Sequence, residues 1–452
     1  MQLRFLGATD TVTGSKYVLE AGDRRVMIDC GLFQGYKALR LRNWDPLPLD
    51  PASLDAVVLT HAHLDHSGYL PLLVRRGFRG RVYCTEGTAR LCEILLADSA
   101  RLAEEDAHDA NRHGYSKHKP ALALYGMADA ARALRHLQPT GFGARFPVAR
   151  GIEVEFRHAG HIIGAAIVVL HVDGRRLVFS GDLGRQHDVV MQAPETVGEG
   201  DCLLVESTYG NRQHSTEDPL DTISRIVERT AAQGGTLLIP TFAVGRAQSL
   251  LYCLHRLQVQ GRLPDVPVYL NSPMARDATQ VFWLHQDELR IGRAECNAAC
   301  SLPIYVRSVE ESIRLNENRA AKIILAGSGM ATGGRILHHL EAFGPDPRNC
   351  ILLSGFQAGG TRGAALAGGA RLLRIHGKEV PINANVEQLT SLSAHADADE
   401  ILAWLRGFAR APRRTFIVHG EPDGADALRQ RIEHELGWPV TMPEYRGVYP
   451  LE

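Results

Sequence analysis

Three histidines and an aspartate are crowded into the six residues HAHLDH, which run from His61 to His66. Imidazole nitrogens and carboxylate oxygens are ligands that zinc and similar divalent metals prefer in proteins. A surface turn has no need of three histidines, and a buried strand would exclude the charged Asp65. His61 and His63 stand two residues apart on an extended segment, and Asp65 and His66 follow at once. This spacing predicts a site for two adjacent metal ions.

Other histidines and acids stand where predicted strands begin or end, and one precedes a predicted helix. Side chains at strand ends can converge on one edge of a sheet, where the strands hold them rigidly and loops leave space for a ligand. Each such residue alone is typical of an ordinary turn or helix cap. Beside the HAHLDH cluster, six of them become candidate ligands or catalytic groups: Asp29, His161, Asp182, Glu206, His395 and His419.

The first part of the chain has the pattern of short strands joined by glycine-containing turns. Strands are predicted at residues 2–6, 16–20, 25–28, 56–59, 82–84, 152–156, 165–172, 177–180 and 202–205. Helices are predicted at 69–76 and from 88 to 137, with a polar interruption at 111–120. His108, His113 and His118 have a five-residue spacing that fits neither a helix face nor a strand face, so we expect them to be solvated.

From about residue 210, apolar strands alternate with helical segments, which is typical of a parallel sheet with crossover helices. These strands are predicted at 236–239, 268–270, 322–325 and 350–353. Near residue 380 the short-strand pattern returns, ending with a strand at 415–418 and a helix at about 425–435. The change of pattern predicts a second domain.

The composition of the 452 residues limits the class of protein. Hydrophobic residues make up 45% and charged residues 22%, as in globular proteins. The formal net charge of -1 gives no global positive field, so nucleic-acid binding has to be argued from the site. The N-terminus is not a secretory signal, and no apolar run reaches the roughly 20 residues of a membrane helix. We therefore expect a cytoplasmic protein that does not bind membranes.

The eight cysteines are scattered and form no CxxC pair, which indicates reduced thiols. Cys296 and Cys300 are close in sequence, and the alternative that they bind metal or form a cross-link stays open.

HAHLDHSG, Asp29, His161 and Asp182 together resemble the motifs of the metallo-β-lactamase superfamily. Glu206 in ESTYG, His395 in SAHAD and His419 in VHGE resemble three further motifs of its β-CASP branch, the nucleic-acid processing nucleases. Within that branch the chain is most similar to bacterial and archaeal relatives of the nuclease subunit of the pre-mRNA cleavage and polyadenylation factor.

The resemblance covers nearly the whole chain and implies an α/β fold. Residues 1–208 and 386–452 would form an αββα metallo-β-lactamase sandwich. Residues 209–385 would form an inserted α/β β-CASP domain built on a mainly parallel sheet. A homodimer is compatible with the sequence.

The resemblance also implies a role for each motif residue. His61, His63 and His161 would bind one zinc ion, Asp65, His66 and His419 would bind a second, and Asp182 would bridge both. Asp29 would orient ligands from behind. His395, paired with Glu206, would act as the general acid, so that His395, Glu206, Asp182 and Asp65 form the catalytic set.

Two metal ions about 3.5–4 Å apart can clamp a phosphate and lower the pKa of water from 15.7 towards about 7. The reaction implied is hydrolysis of single-stranded RNA, cut internally to leave a 5′-phosphate and a 3′-hydroxyl. Histidine at the last motif, His419, favours RNA over DNA, because DNA-processing members commonly have valine there. The alternatives are a 5′-exoribonuclease of the RNase J type, a DNA-processing nuclease and a non-catalytic RNA-processing scaffold.

The glycine-rich segment AGSGMATGGR, residues 326–335, follows a predicted strand and precedes a helix. Backbone N–H groups at a helix N-terminus bind phosphate, although half of such loops are only tight turns. The resemblance implies that this loop holds the RNA backbone. The candidate phosphate contacts are Ser328, Gly329, Gly333, Arg335 and Arg246. The basic run Arg75, Arg76, Arg79 and Arg81 could follow an RNA strand or form a solvated basic face.

Overall fold

The computed structural model describes residues 1–114 and 116–451. The chain divides into two compact units. Unit 1 consists of Met1–Gln186, Ala193–Gln213 and His395–Glu452, and unit 2 consists of His187–Gln192 and His214–Ala394. In the structure the main passage from unit 1 to unit 2 comes after Gln213, and the chain returns to unit 1 at His395. The domain limits at 209 and 385 stay a prediction.

Unit 1 contains two seven-stranded sheets. The first has the strand order β22-β1-β2-β3-β4-β5-β6. Its strands are β1 Gln2–Phe5, β2 Tyr17–Ala21, β3 Arg24–Ile28, β4 Ala56–Val58, β5 Arg81–Cys84, β6 Leu137–Pro139 and β22 Val448–Pro450. Strands β3 to β6 are parallel to one another, so their carboxyl ends lie at one edge.

The second sheet of unit 1 has the order β21-β20-β11-β10-β9-β8-β7. Its strands are β7 Arg145–Ala149, β8 Ile152–His158, β9 Ala166–Val172, β10 Arg175–Phe179, β11 Cys202–Glu206, β20 Arg414–Val418 and β21 Val440–Thr441. Side chains from both sheets meet in one buried cluster, with Leu19 and Ile28 from the first sheet and Val154, Val168 and Phe416 from the second. Burying one face of each sheet against the other drives this packing.

The helices of unit 1 complete the layers. They are α1 Lys37–Arg42, α2 Leu64–Ser67, α3 Leu70–Arg75, α4 Glu86–His113, α5 Met127–Leu134, α13 Ala398–Leu405 and α14 Pro422–Leu436, with a 3₁₀ turn at Pro51–Ser53. Helix α4 contacts α5 and β6, and α14 contacts β20. The two sheets and their helices confirm the α/β fold.

Unit 2 is built on a six-stranded sheet of order β14-β13-β15-β12-β16-β19, in which every pairing is parallel. Its strands are β12 Thr236–Pro240, β13 Val268–Asn271, β14 Ile304–Tyr305, β15 Lys322–Ala326, β16 Cys350–Leu353 and β19 Asn385–Gln388, and a separate hairpin is formed by β17 Leu372–Ile375 and β18 Lys378–Pro381. The mainly parallel sheet expected for the inserted domain is present.

Helices cover both faces of the unit 2 sheet. They are α6 Pro219–Ala232, α7 Arg246–Val259, α8 Pro273–Leu284, α9 Arg293–Ser301, α10 Val309–Glu317, α11 Arg335–Phe343 and α12 Arg362–Ala367, with a 3₁₀ turn at Gln286–Glu288. Neighbouring residues of β12 point to opposite faces. Leu237 packs with Leu250 of α7, whereas Leu238 packs with Leu340 of α11. This alternation follows from the two-residue repeat of a strand.

All eight cysteines lie in the described part of the chain and are free, so Cys296 and Cys300 form no cross-link. Within the described residues, no helix is long and apolar enough to cross a membrane. His108, His113 and His118 are exposed, as expected.

Candidate active site

The candidate site lies within unit 1, where the carboxyl ends of strands from both sheets carry the motif residues. Asp29 directly follows β3, and Thr60 and His61 follow the adjacent parallel strand β4. Asp182, Glu206 and His419 come at or just after the ends of β10, β11 and β20. These last three strands are also parallel neighbours, with Phe179 opposite Leu204 and Glu206 opposite Val418. The topology therefore brings together residues that are far apart in the sequence.

The first group of possible metal ligands is His61, His63, His161 and Asp182, whose ligand atoms all lie within 4.8 Å of one another. His61 Nε2 is 3.1 Å from His63 Nδ1, and His161 Nε2 is 3.2 Å from the same atom. Ligands placed about 2.0–2.1 Å from a tetrahedral zinc ion lie roughly 3.3–3.4 Å apart. The spacing of these nitrogens therefore fits a common ion.

The second group is Asp65, His66 and His419. His66 Nε2 is 3.1 Å from His419 Nε2, and His419 Nε2 is 3.4 Å from Asp65 Oδ2. Asp65 and His66 lie on the short helix α2, whereas His419 comes from the end of β20, 353 residues after His66. These three side chains offer two nitrogens and one oxygen to a second ion.

Asp182 connects the two groups through its two carboxylate oxygens. Oδ2 is 3.3 Å from His61 Nε2 and 3.5 Å from His161 Nε2. Oδ1 is 3.2 Å from His66 Nε2 and 3.5 Å from His419 Nδ1. Oδ1 is buried, and neither nitrogen near it forms a well-aligned hydrogen bond to it. One oxygen directed towards each group is the arrangement that a bridging carboxylate requires, so the residues present fit two divalent ions.

The electrostatics of the first group favour neutral imidazoles. Burial lowers the pKa of His61 to about 3 and that of His63 to about 4. Burial, together with the neighbouring His395, holds the pKa of His161 well below its ordinary value. A neutral imidazole keeps a lone pair, which metal coordination needs.

In the second group, neighbouring carboxylates raise the pKa of a histidine instead of leaving it lowered. Burial alone would lower the pKa of His66, but Asp182 and Asp29 outweigh it and raise that pKa well above its ordinary value. The two buried carboxylates therefore stabilise a positive charge at or beside His66. Either a proton on the imidazole or a bound metal ion can supply that charge.

Asp29 and two threonines form hydrogen bonds that hold the candidate ligands in position. Thr60 donates both its N–H and its Oγ–H to Asp29, at 2.7 and 2.9 Å. The Nδ1–H of His66 donates to Asp29 Oδ2 at 2.7 Å. Thr208 Oγ1 lies 3.1 Å from His419 Nδ1. Thr60 and Thr208 were missed from the sequence, although each directly adjoins a motif, before His61 and within ESTYG.

The backbone around the candidate ligands is closely packed and sharply turned. A Cβ atom on Gly31 would lie 1.6 Å from the carbonyl oxygen of Asp65, so only glycine allows this contact. Asp29 and His419 both have positive φ angles, 58° and 52°, which turn the chain sharply as it leaves β3 and β20. Such conformations are uncommon for residues other than glycine and are concentrated at functional sites.

The half-buried His395 and the fully buried Glu206 form a pair beside the first group. His395 Nδ1 is 3.1 Å from both carboxylate oxygens of Glu206, while its Nε2 is 4.0 Å from Asp182 Oδ2. Glu206 is held by backbone N–H groups of Leu183 at 2.7 Å and Thr208 at 3.3 Å. Burial acts to lower the pKa of His395, but Glu206 and Asp182 outweigh it and raise that pKa to about 9. The imidazole can therefore carry a proton towards the metal-binding side of the site.

The glycine-rich loop belongs to unit 2, between β15 and α11. Ser328 Oγ accepts the N–H of Thr332 at 2.9 Å, and a Cβ atom on Gly329 would collide with the ring of Phe242 at 2.5 Å. Ser328 and Gly333 are half-buried, and Gly329 is buried. The tight packing of Gly329 supplies a structural reason for at least one of the glycines.

The two arginines predicted to contact phosphate are both held by the protein. Arg335 donates to Asn271 Oδ1 at 2.5 Å and to the carbonyl oxygens of Val306 and Arg307 at 3.1 Å. Arg246, in the first turn of α7, is only 8% exposed. Their role in binding phosphate stays a prediction.

The arginines of the basic run also donate to acceptors within the protein. Arg75 contacts Asp129, Arg76 the carbonyls of Trp44 and Asp45, Arg79 those of Val74 and Phe78, and Arg81 the side chain of Gln138. These contacts favour a structural basic face over a path for an RNA strand.

Family models match most of the chain. The metallo-beta-lactamase superfamily matches residues 10–212 and the Beta-Casp domain matches residues 247–366. A domain described as the Zn-dependent metallo-hydrolase RNA specificity domain matches residues 379–443. The three matches follow the order in which the motifs occur.

Similar proteins cover nearly the whole chain. A protein named ribonuclease TTHA0252 from Thermus thermophilus is 40% identical over 95% of each chain. Transcription termination factor FttA from Methanocaldococcus jannaschii is 30% identical over 99% of this chain and 72% of its own. A crystal structure of a protein of unknown function from Enterococcus faecalis V583 aligns over 99% of each chain with a TM-score of 0.55 and 14% identity, which shows a shared fold alone.

The matches and the His/Asp cluster agree on a site that binds divalent metal. The relative with 40% identity and the ordered matches of the domain models identify the lineage. The chain belongs to the β-CASP branch of the metallo-β-lactamase superfamily, as the motifs predicted.

Proposed function

We propose that this protein, a metal-dependent hydrolase of an RNA-processing family, cuts single-stranded RNA internally with the help of two zinc ions. The observation that supports the proposal best is the position of Asp182, with one carboxylate oxygen towards each group of ligands and His395 beside it. The similarity to a protein named as a ribonuclease supports RNA as the substrate.

His61, His63 and His161 would hold one zinc ion, Asp65, His66 and His419 the other, and Asp182 both. When bound, such a pair of ions lowers the pKa of water and neutralises charge on a phosphodiester. Asp29 and Thr60 keep His66 and the start of the HAHLDH segment in place, so the ligand set is ordered before an ion arrives.

His395 would donate the proton that the leaving oxygen needs. Its Nδ1–H donates to Glu206, which fixes the ring and directs Nε2 towards Asp182. Glu206 itself is fully buried and anchored by two backbone N–H groups, so the pair cannot easily rotate. A positioned acid of this kind contributes about 10²–10⁴-fold to a rate. Proton transfer to the 3′ oxygen leaves a 3′-hydroxyl and a 5′-phosphate.

RNA is the proposed substrate because of His419 and the match to an RNA specificity domain. The loop of unit 2 that contains Ser328 and Gly333 is the proposed contact for the RNA backbone. Arg335 and Arg246 would contribute to this phosphate-binding region by fixing its structure. Arg335 is hydrogen-bonded within unit 2, and Arg246 is buried there. We propose a cytoplasmic location, in keeping with the free cysteines.

The deciding experiment compares a circular RNA with a 5′-labelled linear RNA of the same sequence. An endonuclease opens the circle and releases internal fragments from the linear RNA. Release of mononucleotides from the linear RNA with the circle intact would replace the proposal with a 5′-exonuclease. His395→Ala is the inactive control, and His108→Ala, which changes an exposed histidine of α4, is the matched active control.

A further inference from the structure

A second cluster of metal-ligating side chains lies in unit 2, outside the candidate active site. We call His338, Glu341 and His376 the α11 cluster. Their ligand atoms all lie within 4.8 Å of one another, the same limit that the His61 group meets. His376 Nδ1 is 3.1 Å from Glu341 Oε1, and the rings of His338 and His376 have centroids 4.6 Å apart.

Both parts of the cluster are fixed on one core. His338 and Glu341 are three residues apart on α11, so they share a face of that helix. The opposite face of α11 packs through Leu340 into the buried cluster that also holds Ile375 and Val380 of the β17–β18 hairpin. The hairpin therefore presents His376 to α11 in a defined position, and the three side chains meet without a large rearrangement.

The backbone at His376 forms the tight turn of the β17–β18 hairpin. His376 and Gly377 have consecutive positive φ angles, 47° and 78°, in the turn between β17 and β18. This turn favours Asn-Gly, and asparagine adopts the first position more readily than histidine. Asparagine can therefore replace His376 without straining the turn, which makes it a suitable test substitution.

Two imidazoles and one carboxylate are the ligands of a borderline transition metal rather than of magnesium or calcium. Three protein ligands leave a fourth tetrahedral position for water. We propose that the α11 cluster binds a divalent transition-metal ion of the zinc type, which links the β17–β18 hairpin to α11. This proposal does not depend on the proposed function.

The test counts zinc in the full-length protein. Wild type and variants are dialysed against the same buffered free Zn²⁺, and bound zinc is measured by elemental analysis. His376→Asn suits the turn and removes one ligand, so we expect about one zinc ion per chain fewer than in the wild type. His338→Gln should lose the same ion, whereas His108→Asn, a change of an exposed histidine in unit 1, should lose none.

Two further measurements separate this site from the active site. The ion of the α11 cluster should remain when Asp182→Ala lowers the zinc content of the active site. Zn²⁺ should also raise the Tm of the wild type more than that of His376→Asn, each compared with the same protein in chelator. Equal zinc content and equal Tm shifts in wild type and His376→Asn would overturn the proposal.

Discussion

Asp29 Oδ2 lies 2.7 Å from Nδ1 of His66, and the same carboxylate accepts two hydrogen bonds from Thr60. The carboxylate at the end of β3 thus fixes one proposed ligand and the residue that precedes another. Because the imidazole gives its Nδ1–H to Asp29, its Nε2 is left facing Asp182 and His419.

Asp29→Asn should therefore weaken zinc binding by about 10–100-fold, the usual effect of losing a residue that orients a ligand. The measurement is competition for zinc with a chelator of known affinity. Asp173→Asn is the matched control, because Asp173 is an exposed aspartate with a positive φ of 49°, close to the 58° of Asp29. Equal zinc affinity in Asp29→Asn and wild type would remove Asp29 from the metal centre.

Asp182→Ala should reduce the occupancy of both proposed active-site ions rather than one, since each carboxylate oxygen faces a different ligand group. His161→Ala should reduce one ion preferentially, because His161 approaches only the first group. Zinc content after dialysis distinguishes the two patterns. An unchanged zinc content in Asp182→Ala would contradict the dinuclear site.

His395→Ala should slow RNA cleavage by about 10²–10⁴-fold while zinc content stays near that of the wild type. Glu206→Gln should slow cleavage less, because it weakens the positioning of His395 without removing the proton donor. Single-turnover rates with saturating RNA report the effect. Loss of zinc in His395→Ala would show that His395 is a ligand and not the acid.

RNA should be cut faster than DNA of the same sequence. The prediction rests on His419 and on the match to an RNA specificity domain. Side-by-side rates on RNA and DNA oligonucleotides test it. Equal or faster cleavage of DNA would place the protein with DNA-processing members of the branch.

Lys16 gives a prediction about stability. It is buried, donates to the carbonyls of Gly31 and Gly14 at 2.5 and 3.1 Å, and lies 4.5 Å from the centroid of the Phe33 ring. Burial lowers its pKa from 10.5 to about 7. Between these values the unfolded chain binds more protons than the folded chain, so the contribution of Lys16 to the free energy of unfolding rises with pH.

The free energy of unfolding of the wild type should therefore rise by about 1.4 kcal/mol per pH unit between these two pKa values because of Lys16. Lys16→Met should remove this rise. Urea unfolding at about pH 7 and about pH 9 measures the change, and Lys37→Met, at an exposed lysine, is the control that should leave the slope unaltered. A slope in Lys16→Met equal to that of the wild type would show that Lys16 stays charged when folded.

The long apolar strands were predictable from sequence because they are buried and have a clear pattern. Strand β11, predicted at 202–205, is Cys202–Glu206, and β15, predicted at 322–325, is Lys322–Ala326. Strands such as β6 and β22 were missed. Each has only three residues, all half-exposed or exposed, which pair because a neighbouring strand is already in place. Residue 137, assigned to the end of a helix, begins β6 for the same reason.

The metal motif was predictable because histidine and aspartate at fixed spacing are rare without a function. Single hydroxyl groups have no such pattern, so Thr60 and Thr208 became visible only through their contacts with Asp29 and His419. The hydrogen bond from Arg335 to Asn271 could not be predicted either. An arginine after a glycine-rich loop looks the same in the sequence whether its side chain binds a phosphate or another part of the protein. The ligand and catalytic roles stay predictions until they are tested.

The distance along the chain between His66 and His419 imposes an order on synthesis. On the proposed assignment, the ligands of the first ion, His61, His63, His161 and Asp182, have all been translated before unit 2 is complete. His419 follows His66 by 353 residues, a delay on the order of tens of seconds at roughly 5–20 residues per second. The second group of proposed ligands is therefore complete only after β20 has been synthesised.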